Sequence, residues 1–142
     1  MRGAANVLAD TGPLAAWLNS RDTYHAWARE HFARLRPPLT TCEAVLSEVV
    51  FLLHRAGSSG EAVPLLVQRG VLNVAPVLNT EAQAVAALMR KYSDVPMSLA
   101  DACLVRLSEI VPQAVVFTLD TDFGFYRRRG RSAIPVLAPD SP

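Results

Sequence analysis

The chain has 142 residues, of which 51% are apolar and 19% charged, and its formal net charge is +1. This composition excludes a disordered chain, and the near-neutral balance excludes a strong overall field for nucleic acid, leaving only a local patch for such binding. No apolar run approaches the ~18 residues of a membrane span.

One domain over residues 1–142 is expected, large enough for a core without metal or disulfide staples. The two cysteines, Cys42 and Cys103, form no C-x-x-C pair and read as small buried side chains. The residues from Met1 to Ala4 lack the apolar region of a signal peptide, so a cytoplasmic protein with no membrane partner is expected. Lys91 is the only lysine, and the arginines that make up the other basic residues suit bidentate phosphate contacts.

In chain order, Ala4 to Ala9 is a short apolar run ending at Asp10-Thr11-Gly12, the pattern of a buried strand closed by a turn. Leu14 to Leu18 reads as a short helix with Pro13 near its first turn. Asp22 is a candidate N-cap for a helix to about Leu35, which Pro37-Pro38 stops. Leu39-Thr40-Thr41 reads as a short strand. A helix from about Cys42 to His54 follows, with Thr40-x-x-Glu43 as its capping box. After Gly57 to Gly60 comes a shorter helix near Pro64 to Gln68, then a strand from Val71 to Ala75. Thr80 to Gln83 is a second capping box, opening a helix to about Tyr92. Ser98 to Asp101 opens another, ending before Pro112. Val115 to Thr118 reads as a strand, the basic run Arg127 to Arg131 follows, and Ile134 to Leu137 is a last strand. Apolar strands alternating with helices predict a mostly parallel sheet covered on both faces.

The carboxylates stand out by position. Asp10 ends the first strand, Asp120 follows the strand at Val115 to Thr118, Asp101 lies in a first helical turn, and Glu48 lies in the helix after Thr41. In a right-handed βαβ arrangement, strand ends and the following helix starts share the carboxyl edge of the sheet. Carboxylates gathered there repel one another unless a hard cation such as Mg²⁺ or Mn²⁺ lies between them. Each residue also has an ordinary reading: Asp10, Asp120 and Asp122 as turn formers, and Asp101 as the acidic half of a capping box with Ser98. The joint pattern carries the case. Glu43 and Glu48 compete for one role. At about 100° per residue, Val45, Val49, Leu52 and Leu53 share a face, with Glu48 at its border and Glu43 already explained as a cap. Glu48 is the expected site residue and Glu43 the alternative.

Four stretches, Val7 to Gly12, Thr41 to Glu48, Ser98 to Ala102 and Val116 to Phe123, resemble in order and spacing the acidic motifs of the PIN domain (PilT N-terminus) family. The small size resembles its VapC-like toxins from prokaryotic toxin–antitoxin pairs. The resemblance implies a Rossmann-like three-layer α/β/α sandwich around a central, mostly parallel sheet. It implies Mg²⁺- or Mn²⁺-dependent endoribonuclease activity. Carried over by position, Asp10, Glu48, Asp101 and Asp120 match the catalytic acidic residues. Asp10, Asp101 and Asp120 are then metal ligands, Asp122 adds a fifth carboxylate through water, and Glu48 ligates or orients the attacking water. Thr11 and Thr118 match polar neighbours able to bond a carboxylate. An RNA substrate, a cognate antitoxin protein and a homodimer are the implied partners.

Beyond the motifs, Arg127, Arg128 and Arg129 are candidate contacts to RNA phosphates, with a solvated surface strip as the plain alternative. Tyr126 and Phe125 are candidates for base stacking, Phe125 reading more readily as core. His25, His31 and His54 show no ligand spacing and read as exposed helix positions. Asp10-Thr11-Gly12 also matches an aspartic-protease motif, but that chemistry needs two carboxylates sharing a proton and a β-rich chain. An RNA-processing nuclease without an antitoxin, and a non-catalytic RNA- or protein-binding domain, are the remaining alternatives.

Overall fold

The structure is a computed structural model and describes residues 6–140. Five parallel strands form the central sheet: β1 (Asn6–Ala9), β2 (Leu39–Thr41), β3 (Leu72–Val74), β4 (Ala114–Phe117) and β7 (Val136–Leu137). Their order is β3-β2-β1-β4-β7. The chain steps outward from β1 to β2 to β3, then returns to the other side of β1 as β4. Right-handed crossovers place the helices of the outward steps on one face and those of the return on the other. The first group is α1 (Thr11–Leu18), α2 (His25–Arg34), α3 (Glu43–Arg55) and α4 (Ala62–Gln68); the second is α5 (Leu78–Lys91) and α6 (Leu99–Ile110). The result is the expected Rossmann-like three-layer α/β/α sandwich.

The core lies between these layers. Leu8, Ala9, Val116 and Phe117 are fully buried in the two central strands. Strands covered on both faces have no outward side, which is why they read as unbroken apolar runs. Helix α6 is the most enclosed helix, burying Ala100, Ala102, Cys103, Leu104, Val105 and Leu107. Each buried Leu or Val contributes roughly 1.5–3 kcal/mol over leaving it exposed. On the opposite face Trp17 stacks on Phe32 at 4.1 Å, and Phe32 meets the edge of Phe117.

Of the expected helix starts, only Ser98 caps as read, its hydroxyl accepting from the Asp101 N–H at 3.0 Å. The Thr40–Glu43 box does not form. Thr40 is paired in β2 with Leu8 and Asn73, so the chain turns later, at Cys42, which makes no side-chain cap. The Thr80–Gln83 box does not form either, because α5 begins earlier and Thr80 already lies in its first turn. Asp22 accepts from the Tyr24 N–H in a preceding turn, and α2 starts only at His25. Leu52, placed on the apolar face of α3 by periodicity, is exposed. His54 is exposed as read, but His25 and His31 are half-buried, bonded to the carbonyls of Ala16 and Trp27.

The basic run forms a small antiparallel ribbon, β5 (Arg127–Arg128) with β6 (Ser132–Ala133), turning at Arg129 and Gly130, both with positive φ. The last strand of the main sheet is shorter than its apolar run, only Val136–Leu137. No helix is long and apolar enough to cross a membrane among the described residues.

Candidate active site

The reversal of strand order falls between β1 and β4. In open α/β sheets the crevice outside the carboxyl ends of the strands at such a point is where ligands bind. Asp10 is the first residue beyond β1, its N–H still donating to the Phe117 carbonyl at 2.9 Å. Asp120 follows β4 by three residues, and Asp101 enters from the first turn of α6. One oxygen from each of these three carboxylates lies within 4.8 Å of the others. Asp10 and Asp101 are buried and Asp120 is half-buried.

Neutral hydrogen-bond donors hold this cluster. Thr118 Oγ1 donates to Asp10 Oδ2 at 2.7 Å and accepts the Asp120 N–H at 2.8 Å, tying the two strand ends together. The Tyr126 hydroxyl donates to Asp101 Oδ2 at 2.9 Å. Thr11 Oγ1 donates to Glu48 Oε1 at 2.8 Å. Behind Asp10, Thr41 Oγ1 donates to the Ala9 carbonyl, fixing β2 against the end of β1. The two threonines of the acidic motifs thus bond carboxylates as expected.

Burial pushes Asp10 up to about 6, against the lowering effect of its bond from Thr118, with Asp101 and Asp120 adding repulsion. Asp101 is likewise pushed up to about 6, chiefly by burial, with Asp120 and Glu48 raising it further. The ion pairs among the described residues, Arg34–Glu30, Arg106–Glu81 and Arg106–Glu109, leave these aspartates without a cationic side chain. Mutually repelling carboxylates, held in place and not neutralised, fit a cation-binding pocket.

The other expected residues are placed differently. Glu48 is half-buried and close enough to raise Asp101, so it borders the cluster. Glu43 is exposed and lines a separate cavity with Cys42 and Cys103. Asp122 stands outside the tight triad, its N–H donating to Asp120 Oδ1 at 2.9 Å. The arginine run is largely engaged with the protein itself. The half-buried Arg127 donates to the carbonyls of Gly124 and Tyr126, and Arg128 donates to that of Ser108. The more exposed Arg129 donates to Glu109 through its N–H and its guanidinium. Cys42 and Cys103 are free, buried thiols, as read.

The two neighbouring aromatics reverse their expected roles. Phe125 is exposed, whereas Tyr126 is fully buried, packed edge-on against Tyr92 and Phe123. Tyr126 is the residue whose role sequence reasoning misread: it holds Asp101 from within the core and is not free to stack on a base. The available signal was a tyrosine four residues beyond Asp122, whose phenol needs a polar partner if its ring is buried.

The sequence matches the family model for the PIN domain over residues 7–129. No curated protein matches the chain in sequence. Among solved structures, the chain is similar to VapC20 of Mycobacterium tuberculosis, described as a sarcin-ricin loop cleaving toxin. That match has a TM-score of 0.72 at 24% identity and covers 82% of this chain and 92% of VapC20. The switch-point carboxylates and the strand order therefore sit on a fold shared with that protein, and the chain belongs to the PIN domain family.

Proposed function

We propose that the protein is a divalent-metal-dependent endoribonuclease that hydrolyses RNA phosphodiester bonds in the cytoplasm, the toxin of a type II toxin–antitoxin pair. The observation that carries this reading is the convergence of Asp10, Asp101 and Asp120 within 4.8 Å at the sheet's switch point. An all-carboxylate donor set is hard and suits Mg²⁺ or Mn²⁺. These three residues would hold the ion, with Asp122 reaching it through water. Such an ion, when bound, stabilises charge at phosphorus and lowers the pKa of water.

The rest of the work falls to the chain. Thr118 and Tyr126 each bond one oxygen of Asp10 and Asp101, which fixes the orientation of the two carboxylates. Thr11 holds Glu48 by Oε1, so that Oε2 can accept a proton from the attacking water. Arg127, Arg128 and Arg129 supply positive charge beside the Asp120 loop, and the phosphate backbone of RNA lies along that side. The likeness in fold to VapC20 supports a toxin over a processing enzyme. A homodimer and inhibition by a cognate antitoxin belong to the same proposal.

The test is cleavage of a mixed tRNA, rRNA and mRNA pool by antitoxin-free protein with Mn²⁺, Mg²⁺ or EDTA, beside Asp101→Asn. Discrete fragments that require metal and vanish in the variant are expected. Uncut RNA with folded wild-type protein, or equal cutting by Asp101→Asn, overturns the assignment. Growth arrest on induction, relieved by a small protein encoded next to the gene, checks the toxin role.

A further inference from the structure

A cavity of about 330 Å³, separate from the carboxylate cluster, opens at the carboxyl ends of β2 and β3. Its apolar wall comes from Val74, Pro76 and Val77, between β3 and α5. Its polar residues are Glu43 at the start of α3 and Asn79 in the first turn of α5, with Cys42 and Cys103, whose thiols hydrogen-bond each other, also in the lining. Neighbouring strands lie about 4.8 Å apart, so the end of β3 is about 10 Å from the end of β1, where Asp10 stands. That places the cavity within one nucleotide of the carboxylates. An apolar wall with a few polar residues beside it is the chemistry of a small-ligand site and suits a heterocycle. An unpaired carboxylate in such a wall repels phosphate and accepts from the amino edge of a base.

Resting on the nuclease reading, we propose that this cavity is a nucleobase subsite. It takes the base of a nucleotide flanking the scissile phosphate and selects one with an exocyclic amino group through Glu43. Asn79 offers both a donor and an acceptor to the rest of the base edge. Uracil, which has no amino group, is disfavoured. Specificity thus resides in the ends of β2 and β3, and chemistry in the ends of β1 and β4.

The experiment titrates isotopically labelled wild-type, Glu43→Gln and Asn79→Ala proteins with CMP, AMP, GMP and UMP in EDTA, following backbone amide shifts. Both substitutions are at exposed positions, and far-ultraviolet dichroism checks their folding. For the wild type, the amino-bearing nucleotides should shift the amides of residues 74–79 and bind about fivefold more tightly than UMP, the effect of one hydrogen bond. Glu43→Gln should erase that preference, and Asn79→Ala should weaken binding of the amino-bearing nucleotides. The same proteins then cut the RNA pool with Mn²⁺, where Glu43→Gln should change the bases found beside the cut. Shifts confined to the surroundings of Asp10 and Asp120, equal affinity for UMP, or no shifts at all overturn the subsite. Discrimination among free nucleotides with an unchanged cut pattern also overturns it, since the cavity then serves a free nucleotide. Wild-type discrimination without any RNA cleavage overturns the nuclease reading instead.

Discussion

The phenol of Tyr126, with no solvent exposure, donates to Oδ2 of the buried Asp101 at 2.9 Å. Burial and the bonded carboxylate push the phenol pKa up, so it remains a donor across the physiological range. It therefore stabilises the charged form of Asp101, and it fixes the orientation of that carboxylate. Tyr126→Phe keeps the ring that packs on Tyr92 and Phe123 and deletes only the hydroxyl. Groups that orient metal ligands are worth about 10- to 100-fold in affinity. We expect a loss at the low end of that range in Mn²⁺ binding measured by calorimetry, with a melting temperature within a few degrees of wild type. Unchanged Mn²⁺ affinity would show that the bond does not position Asp101.

Thr118 serves both strand ends, donating to Asp10 and accepting from the Asp120 N–H. Thr118→Val preserves shape and removes both bonds in a buried setting. A lost bond to a charged group costs about 1.5–3 kcal/mol. Urea unfolding should show destabilisation of that order at pH 7.5, and Asp10 should titrate above its wild-type value by NMR. The opposite sign, a Val variant more stable than wild type at that pH, would contradict a structural role for the hydroxyl.

The pH dependence follows from the two raised carboxyls. Asp10 and Asp101 sit at about 6 in the folded chain against an ordinary value of 3.8. Between these values the folded state holds more protons than the unfolded state. Their stabilising contribution is therefore fully present below about pH 4 and is lost as pH rises through about 6. Each carboxyl contributes up to about 3 kcal/mol in this window. In EDTA the melting temperature should be higher at pH 5 than at pH 7.5. Mn²⁺ should act in the opposite sense, stabilising at pH 7.5 and hardly at pH 5, because the ion competes with protons for the same oxygens. Thermal scans at the two pH values, with and without Mn²⁺, check both signs.

Gly12 marks the close approach of α1 to the segment leading to Asp120. A β-carbon added there would lie 3.0 Å from Leu119 Cβ. Because Cβ is anchored to the backbone, Gly12→Ala must move the Leu119 segment and with it Asp120. Reduced Mn²⁺ affinity is expected, together with destabilisation of about 1–3 kcal/mol, the usual cost of overpacking. Gly57→Ala, whose added β-carbon meets nothing within 4 Å but whose φ of +90° strains any side chain, separates the two effects: it should lose stability and leave Mn²⁺ affinity alone.

The arginines beside the Asp120 loop should separate by role. Arg127 holds the carbonyls of Gly124 and Tyr126, so Arg127→Ala should chiefly lower the melting temperature. Arg129 is exposed at the ribbon's turn. Arg129→Ala should reduce the salt slope of RNA binding by about 1 with little loss of stability. A slope equal to wild type would remove Arg129 from the RNA surface.

Sequence alone determined the alternation of buried strands with helices, because strands covered on both faces must be apolar throughout. It also placed Asp10, Asp101 and Asp120 at element ends, and the Ser98 cap was legible because capping is local in sequence. What depends on partners distant in the chain was decided only by tertiary structure. The Thr40 and Thr80 boxes failed because strand pairing and an earlier helix start took those residues first. The strand reversal that brings Asp10 beside Asp120 depends on how β4 returns past β1, which no local pattern encodes. Phe125 and Tyr126 exchanged their expected places for the same kind of reason. A phenol can be buried where a carboxylate from another element accepts its hydrogen bond, and Asp101 supplies that partner from 25 residues away.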